Sequence, residues 1–213
     1  MPSVFLFAGP SLGTPPSGTA FETLGPVKRG DVALLNRDHP PGTIIVADGV
    51  FQTYPAVGHR ELLDAIRAGW RIWGVSSMGA IRAYEMRAFG MLGYGQVYEE
   101  FFRHYDYTDD EVALLHEENP PYRPFSEPLI NIRLFLRRLV AEHTISCVHA
   151  DEIVLRLQRL YFGDRTRAEF ANLLTSIAKF PEARVASLLR DYESSMAKTR
   201  DLTDLLASRS WEA

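Results

Sequence analysis

Cysteine and lysine are both scarce in this chain, and each scarcity limits the kinds of site that the protein can contain. Its one cysteine, Cys147, rules out an internal disulfide framework and a cysteine-rich zinc site, which suits a reducing cytoplasm. We expect Cys147 to be a small buried residue within a helix. The basic charge is almost entirely arginine, since the only lysines are Lys28, Lys179 and Lys198. Few residues could therefore act as a lysine base.

Long apolar runs and excess positive charge are also missing. No window approaches the roughly 18 uncharged apolar residues of a membrane span, and the opening "MPSVFLFAGPSLG" has no basic residues before its apolar run. That run predicts a first strand and not a signal peptide. The net charge of −4 and pI of about 5.9 give no electrostatic footprint for nucleic acid. We expect a cytoplasmic protein with no membrane or nucleic-acid partner.

The first half has the alternation of an α/β sheet. "VFLFA", "DVALLN", "GTIIVADGVF" and "RIWGVS" have strand composition, and "PAVGHRELLDAIRAGW" between the last two has helical spacing. Strand, helix and strand with short connections predict a parallel sheet with right-handed crossovers. After Ser77 the pattern is helical, through "DDEVALLH" and "PLINIRLFLRRLVAEH" to a long final helix near "EARVASLLRDYESSMAKTRDLTDLLAS".

The predicted fold class is therefore α/β, a mostly parallel sheet with crossover helices followed by an all-helical C-terminal region. We place the α/β core and the helices that follow it in residues 1–138. Residues 139–213 form the helical region, which shows no chemistry of its own.

Two serines stand where a buried strand meets a helix, in "VSSMG". Ser77 resembles the nucleophile of a strand-turn-helix elbow whose first glycine has become valine. Such a turn exposes the serine oxygen above the sheet and aims the amide of Met78 at a developing oxyanion, with the helix N-terminus beside it. Serine is also a preferred helix N-cap, so one hydroxyl could be a cap and the other a nucleophile.

Two more loops reach the same sheet edge, because the carboxyl ends of parallel strands lie together. Asp48 follows a strand, either as a turn former or as a functional carboxylate. Ser11 and the amides of "GPSLG" could form half of an anion cradle, although the loop lacks the spacing of a nucleotide-binding site. His59, near the start of the preceding helix, is a candidate base for the serine.

Several segments together resemble the TfuA-like family. They are "FAGPSLG", "IIVADGVFQTYPAVGHRELLDAI", "GWRIWGVSSMGAIRAYEMRAFGMLGYGQVYEEF", "TDDEVALLH" and "YRPFSEPLINIR", in the order and spacing of that family from about Val4 to Arg133. The resemblance implies an accessory role in ribosomal peptide backbone thioamidation. Members accompany YcaO enzymes and are held to hydrolyse the C-terminal thiocarboxylate of a ubiquitin-like sulfur-carrier protein, releasing sulfide and aiding the binding of the precursor peptide by YcaO. No cofactor and no metal are implied.

The resemblance also implies a hydrolase-like site with a serine and lysine pair. The family's serine corresponds to Ser77, and its histidine, lysine and glutamate run corresponds to His59, Arg60 and Glu61. We expect Met78 and the "GPSLG" loop to stabilise the oxyanion. The substrate-binding set that we infer adds Gly79 and Asp48, and takes Gly9 and Ser11 from that loop.

Arginine in place of the family's lysine changes the chemistry, because a guanidinium stays charged and cannot act as a general base. His59 could take that role, Lys28 could reach the site from its loop, or Arg60 could hold a carboxylate while hydrolysis is weak. Two functions follow. The protein is a serine hydrolase acting on a protein thiocarboxylate, or a non-catalytic adaptor that docks on YcaO through the aromatic segment "GYGQVYEEFFRHYDY".

Overall fold

The computed structural model describes residues 3–14, 20–51 and 54–212. The chain divides into two compact units. The first contains residues 1–107, 118–123 and 198–213, and the second contains residues 108–117 and 124–197. The last helix of the chain is thus part of the first unit from Lys198 onward.

The first unit is built on a five-stranded sheet whose paired strands all run parallel, in the order β2-β1-β3-β4-β5. This confirms the predicted fold class. The strands are β1 (Val4–Phe7), β2 (Glu22–Leu24), β3 (Thr43–Val46), β4 (Arg71–Val75) and β5 (Leu92–Tyr94). The helices that accompany them are α1 (Asp31–Asp38), α2 (His59–Arg67), α3 (Met78–Met86) and α4 (Gln96–Arg103), with α9 (Ala197–Ser208) arriving from the far end of the chain.

Both faces of the central strands are buried, as the continuous apolar composition of β1 and β3 requires. One face packs against α1, α2 and α3 through residues such as Phe5, Ile44 and Leu62. The other face packs against α9 through Leu6, Ile45 and Leu202 among others. The C-terminal helix therefore covers a sheet face that would otherwise be open.

Glycines let α3 lie directly on the sheet. A Cβ added at Gly79 would stand 1.7 Å from the carbonyl oxygen of Val46, and one added at Gly74 would stand 2.0 Å from the carbonyl oxygen of Gly79. The backbones of β3, β4 and the first turn of α3 are therefore in direct contact. This close approach fixes the position of the turn that contains the two serines.

The sequence prediction was wrong about three elements of the first unit. "DVALLN" forms helix α1 and not a strand, because Val32 and Leu35 are buried at helical spacing while Leu34 between them is half exposed. Such a short apolar run fits either period. Strands β2 and β5 were missed, since each has three residues and little burial.

The second unit is helical, with α5 (Leu129–Ala141), α6 (Cys147–Gln158), α7 (Arg167–Ser176) and α8 (Glu182–Ser194). Its core includes the edge-to-face rings of Phe135, Phe170 and Tyr192. The Tyr192 hydroxyl donates to Glu127 at 2.8 Å, and burial raises the pKa of this tyrosine well above its usual value. Arg165 is fully buried and donates to the carbonyl oxygens of two residues near the end of α6 and to Asp110.

Three helical predictions need correction. The long final helix is broken, because the Ser194 and Ser195 hydroxyls donate to the carbonyl oxygen of Asp191 and compete with the helical backbone. "DDEVALLH" forms only a 3₁₀ turn at Asp109–Glu111. Cys147 is exposed at the first position of α6 and is not a buried residue.

Helix α9 is joined to α4 by a buried carboxylate. Asp201 accepts a hydrogen bond of 2.8 Å from the amide of Val97 in the first turn of α4, and Gly95 before it leaves room for the carboxyl group. Burial raises the pKa of Asp201 from 3.8 to about 6, against the effect of the hydrogen bonds from the backbone of Val97 and Gln96. No helix in the described ranges has the length and apolar character needed to cross a membrane.

We predict that Gly79→Ala destabilises the protein. The new methyl group has no space against the Val46 backbone, so α3 must move from the sheet. Overpacking of this kind costs about 1–3 kcal/mol, and contact with rigid backbone favours the upper end. The free energy of unfolding in urea measures the loss.

Gly58→Ala is the matched control, because its Cβ would meet only the Glu61 carboxylate oxygen at 3.7 Å and its φ of −90° suits alanine. We expect a loss below about 1 kcal/mol for this variant. Equal losses at the two positions would show that the backbone contact at Gly79 is not the constraint.

Asp201 predicts a distinctive pH dependence of stability. Its folded pKa of about 6 exceeds the 3.8 of an unfolded aspartate, so the folded state binds more protons between these values. The contribution of this group to stability therefore falls as the pH rises through that range. Asp201→Asn keeps an acceptor for the Val97 amide and removes the titration. As the pH rises from 4 to 7, the free energy of unfolding of the variant should increase by about 2 kcal/mol relative to that of the wild type.

The measurement is the free energy of unfolding of both proteins in urea at several pH values. Because all other groups titrate in both proteins, their difference isolates residue 201. A difference that stays constant across this pH range would contradict the prediction.

Candidate functional site

Three loops that follow parallel strands converge at one edge of the sheet, as the sequence predicts. The loop after β1 contains Gly9 and Ser11, the loop after β3 contains Asp48, and the turn after β4 contains Ser76 and Ser77. The Gly79 amide donates to the carbonyl oxygen of Ala47, which ties the last two together. We call this group of residues, together with Lys198, the sheet-edge site.

Asp48 is the centre of the sheet-edge site. It is 3% exposed, and its Oδ2 accepts hydrogen bonds of 2.8 Å from the amides of Gly9 and Ser11. Its Oδ1 accepts a hydrogen bond of 2.7 Å from the Ser11 hydroxyl. The "GPSLG" loop therefore surrounds an anion, and that anion is the Asp48 carboxylate of this chain.

Lys198, near the start of α9, completes the site from the other end of the sequence. Its Nζ lies 4.0 Å from Asp48 Oδ1, and both side chains are only 4% exposed. A buried ammonium group requires a compensating charge, and Asp48 supplies it. Lys198 was missed as a site residue because it lies in a helical segment without a motif, and its only signal was that lysine is rare in the chain.

Ser76 forms a tight turn against Lys198. Its φ of 66° is in the left-handed region, and the amide of Ser77 donates to the carbonyl oxygen of Val75 at 2.8 Å, which closes a three-residue turn around Ser76. A non-glycine residue in this conformation costs on the order of 1 kcal/mol or more, and such residues cluster at active sites. The Ser76 hydroxyl donates to the backbone oxygen of Lys198 at 2.7 Å. The sequence singled out Ser77 as the candidate nucleophile and gave no indication of this contact of Ser76.

Ser77 is at the N-cap position of α3, but its side chain does not cap the helix. Its backbone oxygen accepts the amides of Ala80 and Ile81. The expectation that the elbow exposes this serine is wrong, because Ser77 is 2% exposed. Its side chain lies at the buried edge of the sheet.

The amides expected to stabilise an oxyanion differ in their availability. Those of Gly9 and Ser11 bind Asp48, and that of Gly79 binds the carbonyl oxygen of Ala47. The Met78 amide, at the first turn of α3, has no such backbone acceptor among the described residues.

Tyr122 closes one side of the site, and sequence reasoning did not identify it. Its ring is packed near Gly9 and its hydroxyl near Gly25, where side chains on either glycine would meet it. Burial raises the pKa of Tyr122, and the nearby carboxylate of Asp48 adds to that rise. Its phenol group is therefore neutral and polar beside the Asp48 carboxylate.

The run His59, Arg60 and Glu61 is not brought to the serine turn by any contact in the described part of the chain. His59 Nε2 pairs at 2.8 Å with Glu85, eight residues beyond Ser77, which is about 12 Å along a helix axis. Arg60 is 82% exposed and pairs with Asp64. Glu61 accepts the amides of Gly58 and Gly30, and so caps α2 and the start of α1.

Lys28 is also exposed, with its Nζ 5.5 Å from the centre of the Tyr54 ring. No contact in the described ranges joins it to the serine turn. No group of three or more histidine, cysteine, aspartate or glutamate side chains in those ranges is arranged to hold a metal ion. A hydroxyl, an amine and a carboxylate at one buried edge can support acyl transfer by general base catalysis.

Comparison with known proteins gives one family. The family model for TfuA-like protein matches residues 48–166, more than half of the 213 residues, from Asp48 of the sheet-edge site into the helical unit. Lys198 lies beyond the matched range. No curated protein matches the chain. The chain belongs to the TfuA-like family.

Proposed function

We propose that this protein hydrolyses the C-terminal thiocarboxylate of a ubiquitin-like sulfur-carrier protein and supplies sulfide to a YcaO enzyme that thioamidates a ribosomal peptide. Membership of the TfuA-like family supports the accessory role in thioamidation. The sheet-edge site supports the hydrolytic step. In this proposal Ser77 is the nucleophile and Lys198 is the general base, which supplies from α9 the lysine that position 60 lacks.

The observation that carries the proposal is the position of Lys198. Its backbone is bonded to Ser76, the neighbour of Ser77, and its amine is buried beside Asp48. A lysine amine acts as a general base only in the fraction that has lost its proton; burial increases that fraction, and the neighbouring Asp48 carboxylate decreases it. His59, Arg60 and Lys28 have exposed positions with other partners.

The proposed reaction has two steps. The Ser77 oxygen attacks the thiocarboxylate carbon while Lys198 takes the hydroxyl proton. The Lys198 ammonium then gives that proton to the sulfur as the C–S bond breaks, which releases hydrosulfide, leaves an acyl ester on Ser77 and restores the neutral amine. The amine next takes a proton from water as the water oxygen attacks the ester, and it returns this proton to the Ser77 oxygen as the ester C–O bond breaks and the carboxylic acid is released. The net reaction consumes one water and yields one carboxylic acid and one hydrogen sulfide for each thiocarboxylate.

The developing negative charge requires a donor, and the Met78 amide is suited to this task. It lies at the N-terminus of α3, where the helix dipole also favours an anion. One oriented amide donor contributes about 3 kcal/mol to transition-state stabilisation in related acyl transfers. Since hydrosulfide is a good leaving group, the reaction requires less help than amide hydrolysis.

We predict that purified protein releases sulfide from a thiocarboxylated carrier and that Ser77→Ala loses the activity by on the order of 10³-fold or more. Lys198→Met, which keeps an unbranched side chain one atom shorter and removes the amine, should reduce the rate by about 10²- to 10⁴-fold. Time courses of sulfide release, together with the mass of the carrier, measure both effects.

Lys179→Met is the matched control, because Lys179 is an exposed lysine of the other unit. Its rate should stay within about twofold of wild type. Full activity of Lys198→Met would exclude Lys198 as the base. In that case the same assay on His59→Ala and Lys28→Met tests the bases that the sequence suggested.

A second candidate function, docking on YcaO without chemistry, is favoured by an exposed aromatic cluster. Tyr84 and Tyr98 contact the Phe102 ring edge to face at 5.1 and 5.0 Å, and Arg87 stacks on Tyr84. Phe102 remains 51% exposed. Aromatic residues and arginine are enriched in the anchoring positions of interfaces.

This second function predicts that Phe102→Ser weakens binding to the cognate YcaO by about tenfold or more, because an aromatic anchor is lost. Phe125→Ser removes a phenylalanine that is 61% exposed in the other unit and should leave affinity unchanged. Calorimetric titration of YcaO with each variant measures this. Equal affinities for both variants and the wild type would exclude the cluster from the contact.

A further inference from the structure

The Asp48 carboxylate is held more rigidly than a turn-forming aspartate needs to be. Two amides and one hydroxyl donate to it, all from the loop after β1, at 2.7 to 2.8 Å. These donors replace the solvent that the buried carboxylate lacks. They also fix the direction in which Oδ1 faces Lys198.

Lys198 is held at both of its ends. Its backbone oxygen accepts the Ser76 hydroxyl at 2.7 Å, and its Nζ lies 4.0 Å from Asp48 Oδ1. A lysine side chain has four rotatable bonds and loses considerable entropy when it is ordered. The Ser76 contact fixes the backbone at Lys198, and the Asp48 contact restrains the far end of its side chain.

We propose that Asp48 is a positioning residue for Lys198: it orients the amine toward the serine turn and stabilises the ammonium that forms when the amine takes the serine proton. This inference rests on the proposed function and adds a third member to its serine and lysine pair. The role resembles that of the aspartate in a serine, histidine and aspartate triad, which orients the base and stabilises its protonated form. The Ser11 hydroxyl and the two amides in turn orient Asp48.

Two other ionisable groups of the same unit are relevant to this pair. Burial raises the pKa of Tyr122, and the Asp48 carboxylate adds to that rise. Asp201 lies three residues further along α9, where its carboxyl group accepts the Val97 amide. Each could change the titration of Lys198, so both are included in the test.

The rarity of lysine makes a direct measurement practical. In protein labelled with ¹³C-lysine, the three lysines give three Cε signals, which Lys28→Arg, Lys179→Arg and Lys198→Arg assign. The pH titration of the Lys198 signal is compared in wild type and in Asp48→Asn, which keeps the shape of the side chain but removes its charge. A carboxylate at 4 Å should raise the midpoint, so we expect a decrease of about one pH unit or more in the variant.

Asp201→Asn is the matched control, because it removes another buried carboxylate of the same unit, and Tyr122→Phe controls for the phenol group. We expect both to move the Lys198 midpoint by much less than Asp48→Asn does. Ser11→Ala keeps the charge of Asp48 and removes one hydrogen-bond donor from Oδ1. Because Oδ1 then interacts more strongly with the Lys198 ammonium, the midpoint of the Lys198 signal should rise. This variant tests the contact even when Asp48→Asn does not fold. A midpoint that is unchanged in Asp48→Asn, or that falls in Ser11→Ala, overturns the inference.

Activity separates this inference from the proposed function. In the sulfide-release assay, Asp48→Asn should reduce kcat by about tenfold or more with little change in KM, and its pH profile should move to lower pH together with the Lys198 signal. Wild-type protein that releases no sulfide refutes the hydrolytic function, while the Lys198 titration still decides whether Asp48 controls the amine. Sulfide release with an unchanged profile in Asp48→Asn supports the function and refutes the positioning role.

Discussion

A carboxylate in the interior of a protein must be surrounded by donors, and at Asp48 this requirement brings distant parts of the chain together. The loop after β1 supplies two amides and a hydroxyl, and α9 supplies the amine of Lys198. Without these partners the buried charge would cost several kcal/mol. The last helix therefore has an electrostatic as well as an apolar reason to return to the sheet after the helical unit.

The serine turn depends on the same arrangement. Gly74 and Gly79 allow α3 to approach β3 and β4 at backbone distance, which leaves little room for the connection between β4 and α3. The chain makes this connection through the left-handed conformation of Ser76, and the bond from its hydroxyl to Lys198 helps to offset the strain. Ser76 thus has a structural role, and Ser77 is left with a side chain that caps nothing.

The sequence predicted the parallel sheet, the three loops at its edge and the two serines at the strand-to-helix turn, because these depend on local patterns. It did not predict that Lys198 joins them, since no local pattern marks a residue whose role depends on a contact with Asp48, far away in the sequence. The same reason explains why the sequence did not predict the acceptor of the amides in the loop after β1. Gly9 and Ser11 were expected to bind a substrate anion, and only the fold shows that Asp48 occupies their cradle. Helix α1 was misassigned because four consecutive apolar residues fit both periods.

Arginine at position 60 cannot act as a base, and the sequence left open whether His59 or Lys28 replaces it or whether hydrolysis is weak. The fold shows where the side chain of residue 60 lies. Arg60 is a solvent-exposed partner of Asp64, and the adjacent Glu61 caps two helices, so the run has a structural role on the surface of α2. In the proposed mechanism the amine comes from α9 instead, in a buried position beside the Asp48 carboxylate. On that proposal, the chemistry depends on a lysine that reaches the buried sheet edge and not on residue 60.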